Sequence, residues 1–319
     1  MGILCLPESP RFTYRRGRTE EARNTLSRLN GVFPNDDHIE SQLNEIQKKI
    51  DEERGGVHAW YEIFTGERML YRTLLGMVLQ AGQQLTGANF FFYFGTTIFR
   101  ATGITDAFVT SIILGSVNVG ATVIGLWLVN NCGRRMLLMV GAAWMCVCLF
   151  IYAFVGEFAL DRANPERTPA AGAILIVFTC LFIAAFATTW GPLVWAIVSE
   201  LYPARYRASC MALATASNWL LNFLISFFST FITDKIHYLY GVVFGGCCFA
   251  LFWITYFFVI ESKDCTLEEI DGMYTGKVPP RGSPAYVKDM IARRNEQAAS
   301  APDKRQSPEP PATEMTETA

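Results

Sequence analysis

Charged residues are scarce in this chain of 319 residues, since Asp, Glu, Lys and Arg together make up 18%. The 27 basic and 29 acidic residues nearly cancel, which leaves a formal net charge of −2. A protein that binds nucleic acid needs a basic surface to meet the phosphates, and no such surface is expected here. The charge balance therefore argues against a nucleic-acid partner.

Metal-binding and catalytic patterns are also lacking. The chain has three histidines and nine cysteines, and most of the cysteines lie in apolar stretches. No cysteine has zinc-ligand spacing to a histidine, and no secreted disulfide framework is visible, so the cysteines are interpreted as small buried apolar residues. We therefore expect no metal and no other cofactor. Because the sequence also lacks a nucleophile–base set and a phosphate-binding loop, an enzyme is not predicted.

Long apolar runs are what the chain does contain, and they lie between a polar start and a polar end. A helix needs about 20 mostly apolar residues to cross a bilayer. Six stretches meet this length, over residues 69–99, 107–129, 136–156, 171–198, 208–232 and 241–260. They predict an all-α, multi-pass membrane protein, in which the lipid bilayer is itself a partner.

The predicted organisation has three parts. Residues 1–68 contain the end of a preceding membrane helix (1–6) and short amphipathic helices over 19–26 and 39–50, residues 69–260 form a six-helix membrane domain, and residues 261–319 form a tail that is largely disordered after about residue 276. Arginine pairs follow the second and fourth spans. The positive-inside rule therefore puts both termini in the cytosol. The expected location is the plasma membrane.

A polar run, Gln83 to Tyr93, interrupts the first apolar span. A buried amide without a partner costs about 1–3 kcal/mol, so Gln83, Gln84 and Asn89 need partners. On a helix, Gln83, Gln84 and Gly87 would share one broad face that Asn89 borders. Two interpretations stay open: a wet cavity that binds a hydroxyl-rich solute, or hydrogen bonds between membrane helices.

An ordered set of motifs resembles the C-terminal half of a sugar porter of the major facilitator superfamily, of the fungal hexose-transporter type. The motifs lie at residues 7–11, 83–89 with 93, 133–135, 191–195 with 199–207, 218–222, and 261–263 with 266–271. The resemblance covers residues 3 to 275. It implies a fold of twelve helices in two halves, with the substrate site between the halves near the midplane. On this interpretation the chain begins where the sixth helix ends.

The resemblance also implies which residues contact the sugar. They are Gln83, Gln84, Asn89, Asn118, Trp195 and Asn222. Amides donate and accept hydrogen bonds, as sugar hydroxyls do, and an indole offers an apolar face together with one N–H donor. The alternative for Asn118, Trp195 and Asn222 is ordinary contact between neighbouring helices.

A second set of residues is interpreted as a gate and a latch. Tyr93 is a gate or a packing residue, and Pro192 is a hinge or a static kink in the fourth span. The latch would join Glu200 and Arg207 to Arg134, Arg135, Glu8 and Arg11, although these charges also fit the positive-inside rule alone.

The predicted function is transport of a monosaccharide, a hexose such as glucose, by alternating access. Uniport and proton symport fit the residues equally well. A transporter-like sugar sensor and a half-transporter without activity are the alternatives. The implied partners are the sugar, the bilayer, and either an N-terminal half or a second copy of the chain.

Overall fold

The computed structural model describes residues 8–34, 36, 39–44, 46–47, 61–92, 95, 107–161, 168–203 and 205–300. Within these ranges the regular secondary structure is entirely helical. The chain divides into two compact units, Met1–Glu62 and Ile63–Ala319. The all-α class predicted from the apolar runs is therefore confirmed.

The first unit is a small helical hairpin. Helices α1 (Pro10–Arg15) and α2 (Thr19–Asn30) are followed by helical residues 39–44. Ala22 and Leu26 of α2 pack against Ile39 and Leu43 in a small core. Residues 1–6 and most of the chain between 45 and 60 lie outside the described residues.

The second unit contains the apolar helices. A short helix α3 (Glu62–Thr65) begins at the unit boundary. The remaining helices are α4 (Met69–Leu85), α5 (Ala107–Asn131), α6 (Arg134–Phe154), α7 (Pro169–Thr188), α8 (Trp190–Leu201), α9 (Arg207–Ile236), α10 (Tyr240–Phe258), α11 (Leu267–Thr275) and α12 (Ser283–Ser300). A π-helical turn, Val155–Ala159, extends α6, and a 3-10 turn, His237–Leu239, precedes α10.

Five helical segments are long and apolar enough to cross a membrane. They are Phe108–Asn131, Arg134–Ala159, Pro169–Leu201, Arg207–Ser229 and His237–Phe258. They match the second to sixth predicted spans to within a few residues. The first predicted span is described only as far as residue 92, apart from residue 95.

The first span is not one continuous helix over the described residues, which corrects the expectation that its amides share one helical face. Helix α4 ends at Leu85, and helical backbone resumes at residues 88–92. Gly87 lies between them with φ +87°, a left-handed conformation that favours glycine. A Cβ at this position would also lie 2.6 Å from the Phe244 ring. The break and the close packing therefore both require glycine.

The fourth span breaks as expected, but at Thr189 rather than at Gly191–Pro192. Thr189 has φ −126° and ψ −84°, and it separates α7 from α8. Proline has no N–H, and its ring clashes with the carbonyl four residues earlier, which here belongs to Thr188. The distortion therefore appears one turn before Pro192.

Close packing between pairs of helices builds the second unit. The largest helix contacts are those of α6 with α10 and of α4 with α9. At Gly241 a Cβ would lie 3.1 Å from the Leu149 carbonyl oxygen of α6, so this glycine allows α10 to approach closely. Buried apolar side chains from all six spans form one continuous core.

The tail differs from its prediction of disorder after about residue 276. Helix α11 begins with a capping box, in which Thr266 and Glu269 satisfy each other's main-chain N–H groups. Helix α12 follows, with Val287 5% exposed and with Ser283 Oγ accepting a 2.9 Å hydrogen bond from the Glu261 N–H. These contacts hold α12 against the rest of the unit, although its residues are largely polar. Residues after 300 lie outside the described residues.

Candidate functional site

A cavity of about 380 Å³ lies where the two broken spans meet α9. Its lining is uncharged and mixes amides with aromatic rings. The lining residues are Gln83, Gln84, Ala88, Asn89, Phe186, Gly191, Trp195, Asn218, Trp219 and Asn222. Such a lining suits a neutral ligand that has both hydroxyl groups and apolar faces.

Gln83 joins the two helix breaks. Its Nε2 donates hydrogen bonds of 2.8 Å to the carbonyl oxygens of both Trp190 and Gly191 at the start of α8. Trp190 is itself fixed, because it is fully buried and its indole N–H donates a 2.9 Å bond to the Leu138 carbonyl of α6. The first span is thereby hydrogen-bonded to the fourth span where both are broken.

Asn218 of α9 lies at the centre of the amide network. The two N–H groups of its Nδ2 are shared among three acceptors: Gln80 Oε1 at 2.8 Å, the Gln80 carbonyl oxygen at 3.0 Å and Gln83 Oε1 at 2.9 Å. Its Oδ1 accepts a 2.8 Å bond from Gln84 Nε2. The side chain is 4% exposed, so it is enclosed by these partners.

The remaining amides converge on Gln84. Its Oε1 accepts a 2.6 Å hydrogen bond from Asn89 Nδ2 and a 3.3 Å bond from Asn222 Nδ2. Asn89 comes from the helical turn beyond the Gly87 break, and Asn222 comes from α9. The break therefore turns Asn89 back toward Gln84.

Five of the six predicted sugar-contacting residues line this cavity. They are Gln83, Gln84, Asn89, Trp195 and Asn222. Asn118 is the exception among the described residues: it lies half-buried on α5, and its carbonyl oxygen accepts a 2.8 Å hydrogen bond from Thr122 Oγ1. Tyr93 lies outside the described residues. A role for any of these residues in sugar contact remains a prediction.

Three polar or aromatic residues of the site were not predicted to act there. They are Gln80, Asn218 and Trp219. The signal was present, because Asn218 precedes Asn222 by four residues and Gln80 precedes Gln83 and Gln84 by three and four. Asn218 and Gln80 therefore each lie on the same helix face as a residue that was predicted to contact the sugar.

The predicted latch residues lie at the end of the bundle where α6 begins and α8 ends. Arg134 Nη2 lies 3.1 Å from Glu200 Oε1, and Ser262 Oγ donates a 2.9 Å bond to Glu200 Oε2. The main-chain N–H of Arg134 donates to Glu261 Oε1 at 2.8 Å, so this carboxylate caps α6. Arg134, Glu200, Glu261 and Ser262 are called the Glu200 cluster below.

The other predicted latch residues have different partners. Arg135 donates a 2.8 Å hydrogen bond to the Tyr256 carbonyl oxygen, and Arg207 donates to the Tyr202 carbonyl oxygen at 3.2 Å. Both arginines thus hold main-chain carbonyls at helix ends. Glu8 and Arg11 belong to the first compact unit, so their part in the latch stays a prediction.

The described residues contain no group of three His, Cys, Asp or Glu side chains placed to hold a metal ion. Discontinuous membrane helices that meet at a polar cavity are typical of secondary transporters. A family model described as "Sugar (and other) transporter" matches residues 1–274. The chain belongs to this family.

Curated relatives agree with that assignment. The chain is 46% identical over 289 residues to a high-affinity fructose transporter of Schizosaccharomyces pombe. The aligned region covers 90% of this chain and 54% of that protein. It is 44% identical to a high-affinity glucose transporter of the same yeast, over 88% of this chain and 53% of that protein. A galactose transporter of Saccharomyces cerevisiae is 43% identical, over 90% of this chain and 51% of its own length. The chain thus spans about half the length of the relatives it matches.

Solved structures show the same partial coverage. The major facilitator superfamily proton:xylose symporter XylE, bound to 6-bromo-6-deoxy-D-glucose, matches with a TM-score of 0.63 and 25% identity. The match covers 85% of this chain and 55% of that protein. The second unit therefore has the fold of half a major facilitator transporter, as the motif order predicted.

Proposed function

We propose that this chain forms one half of a carrier that moves a neutral monosaccharide, a hexose such as glucose, across a membrane by alternating access. The observation that carries the proposal is the cavity at the two helix breaks, which gathers five side chains selected from sequence alone. The relatives named as fructose, glucose and galactose transporters support the same substrate class. Uniport and proton symport both fit this site.

The chemistry of the lining matches a sugar rather than an ion. Every lining residue is uncharged, so an ion would lose its hydration without gaining a counter-charge. Gln84, Asn89 and Asn222 offer donors and acceptors within one small region, while Trp195 and Trp219 offer apolar faces for the C–H side of a pyranose ring. The volume of about 380 Å³ falls in the usual range for small-molecule sites.

The proposal includes a second wall for the cavity and an orientation in the membrane. The other wall would come from an N-terminal half or from a second copy of this chain. Both termini and the Glu200 cluster would lie in the cytosol of a multi-pass plasma-membrane protein, following the positive-inside rule. In that setting the Arg134–Glu200 pair would help to close the inner side, and the Pro192 kink would act as a hinge.

Sugar binding to the 319-residue chain gives the first test. Trp195 and Trp219 line the cavity, so a bound hexose should change the intrinsic fluorescence of the chain in lipid nanodiscs. Titration with D-glucose, D-fructose and D-galactose is expected to give a saturable change for at least one sugar, and L-glucose serves as the control. The absence of a saturable response to all three D-sugars would show that these residues do not bind a hexose without the second wall, and hexose uptake by the chimera described next would then decide the proposal.

Transport itself is tested in a chimera that joins the first half of the S. pombe fructose transporter to this chain. Hexose uptake is measured in a yeast strain without its own hexose carriers. We expect Trp195→Ala to weaken apparent affinity by about tenfold, as for loss of an aromatic contact worth about 1.4 kcal/mol. The matched control is Trp144→Ala, because Trp144 is exposed on α6 away from the cavity lining. Equal uptake kinetics of the two variants would show that Trp195 does not contribute to sugar binding.

A further inference from the structure

We infer that Asn218 is a positioning residue that sets the direction in which the cavity amides present their donors and acceptors. Asn218 belongs to the motif at residues 218–222 but was not predicted to contact the sugar. The effect of Asn218 on sugar binding rests on the proposed function. It follows from a chain of hydrogen bonds that starts at two main-chain carbonyls and ends in the cavity. Each step allows only one orientation of the next amide.

The first step is at Gln83. The carbonyl oxygens of Trp190 and Gly191 can only accept hydrogen bonds, so the side-chain group that faces them must be the Gln83 nitrogen. Both N–H bonds of that nitrogen are used there. The Gln83 oxygen must therefore point the other way, toward Asn218.

The second step is at Asn218. Its nitrogen faces three acceptors, namely Gln83 Oε1, Gln80 Oε1 and the Gln80 carbonyl oxygen, at 2.8–3.0 Å. An oxygen at this position would face Gln83 Oε1 and the Gln80 carbonyl oxygen, neither of which can donate. The Asn218 oxygen therefore faces Gln84 Nε2, which donates to it at 2.8 Å.

The third step is at Gln84, which lines the cavity. Because the Gln84 nitrogen is held by Asn218, the Gln84 oxygen points toward Asn89 and Asn222, which both donate to it. The Gln84 oxygen thus fixes Asn89 and Asn222 with their nitrogens toward it, and each of these asparagines keeps a second N–H for a ligand. A sugar hydroxyl beside these groups can accept from the second N–H of either asparagine, or can replace one of them as a donor to the Gln84 oxygen.

The requirement for asparagine at position 218 is specific. The side chain is 4% exposed, so water does not replace a lost partner. Aspartate would place an oxygen against Gln83 Oε1 and Gln80 Oε1, and only its protonated form could donate to one of them. Protonation of the introduced carboxylate would therefore restore one donor at this position.

The main test is therefore the pH dependence of Asn218→Asp. D-Glucose binding to the 319-residue chain is measured by tryptophan fluorescence from pH 5 to 8. We expect the variant to bind about tenfold more weakly than the unchanged chain at pH 7.5 and to approach it at pH 5. Asn24→Asp, an exposed change on α2, controls for the added charge and should show no such recovery. Equal affinities of Asn218→Asp and the unchanged chain at every pH would overturn the inference.

A double-mutant cycle separates positioning from direct contact. If Asn218 acts through Gln84, then Asn218→Ala should weaken binding by about tenfold alone but by less than threefold in a Gln84→Ala background. Effects that multiply fully in the double variant would show that Asn218 acts on the sugar itself, against the inference.

A sugar-independent measurement keeps the two proposals distinguishable. The thermal unfolding midpoint of Asn218→Asp should rise relative to the unchanged chain as pH falls from 8 to 5, because only the protonated carboxyl group can donate to the acceptors that face it in the folded state. A chain that binds no sugar but shows this rise would refute hexose binding without the second wall and retain the amide orientation. A variant that remains equally destabilised, or unfolded, at both pH values would refute the orientation.

Discussion

Arg72 at the start of α4 and Asp271 in α11 form an ion pair across 199 residues of sequence, with 2.5 Å between Nη1 and Oδ1. Arg72 is 1% exposed, and its Nη2 also donates to the Asp271 carbonyl oxygen at 3.0 Å. The guanidinium lies 4.9 Å from the centre of the Tyr274 ring. The pair therefore fastens α11 to the helix that carries the cavity glutamines.

Removal of this carboxylate should destabilise the second unit. Asp271→Ala leaves the buried Arg72 charge without its strongest partner, and we expect a loss of about 1.5–3 kcal/mol in the free energy of unfolding. The loss should stay below that of a fully buried pair, because the Asp271 side chain is 45% exposed and water can partly replace it. Thermal unfolding of the detergent-solubilised chain measures the effect. Glu268→Ala, an exposed change on the same helix, should cost less than about 1 kcal/mol, and equal losses would contradict the assigned role of Arg72.

The Arg134–Glu200 pair should show a measurable coupling energy. Both side chains are about one-fifth exposed, which places the pair between surface and buried cases. Glu200→Gln can retain a hydrogen bond with Ser262 but removes the charge. In a cycle with Arg134→Gln, we expect the double variant to lose about 1 kcal/mol less than the sum of the single losses. Strict additivity in thermal unfolding would indicate that the two charges do not stabilise each other.

The break in the first span should make Gly87 intolerant of a side chain. Gly87→Ala combines a φ of +87° with a Cβ 2.6 Å from Phe244, so we expect a loss of about 1–3 kcal/mol in the free energy of unfolding. Gly120→Ala on α5 is the matched control, because its Cβ would meet open space. The control should be neutral or stabilising by up to about 1 kcal/mol. Equal unfolding midpoints for the two alanine variants would contradict the observed backbone.

Cys265, just before α11, should react slowly with alkylating reagents. Burial, together with the neighbouring carboxylates of Glu269 and Glu261, raises the pKa of its thiol to about 11. At pH 8 we expect iodoacetamide to modify Cys265 about 10–100-fold more slowly in the folded chain than in urea, with the rate rising as pH approaches 11. Peptide mapping by mass spectrometry measures this single site. Equal rates in the folded and unfolded chain would contradict the half-buried position of the thiol and its raised pKa.

Local composition determined the spans and most of the cavity. A helix in lipid needs about 20 apolar residues whatever its neighbours are, so residues 107–129 and 241–260 could be identified without a structure. Amides within such a run need hydrogen-bond partners, so Gln83, Gln84 and Asn89 could be identified from the sequence as candidate site residues. Pro192 likewise predicted a break within one turn of its observed position, because the loss of a helix hydrogen bond is a local effect.

Contacts between distant segments decided the rest. The partners of Arg72 and Asn218 lie more than 100 residues away in sequence, so no pattern around either residue reveals them. Helix α12 has a polar composition typical of disorder, and the burial of Val287 together with the bond between Ser283 and Glu261 orders it. Sequence alone therefore determined which segments are apolar enough to enter a membrane and which amides need partners, since both depend on local free energies of transfer. The tertiary structure alone decided which partner each amide and charge has, because a hydrogen bond depends on the few ångströms between groups that folding brings together.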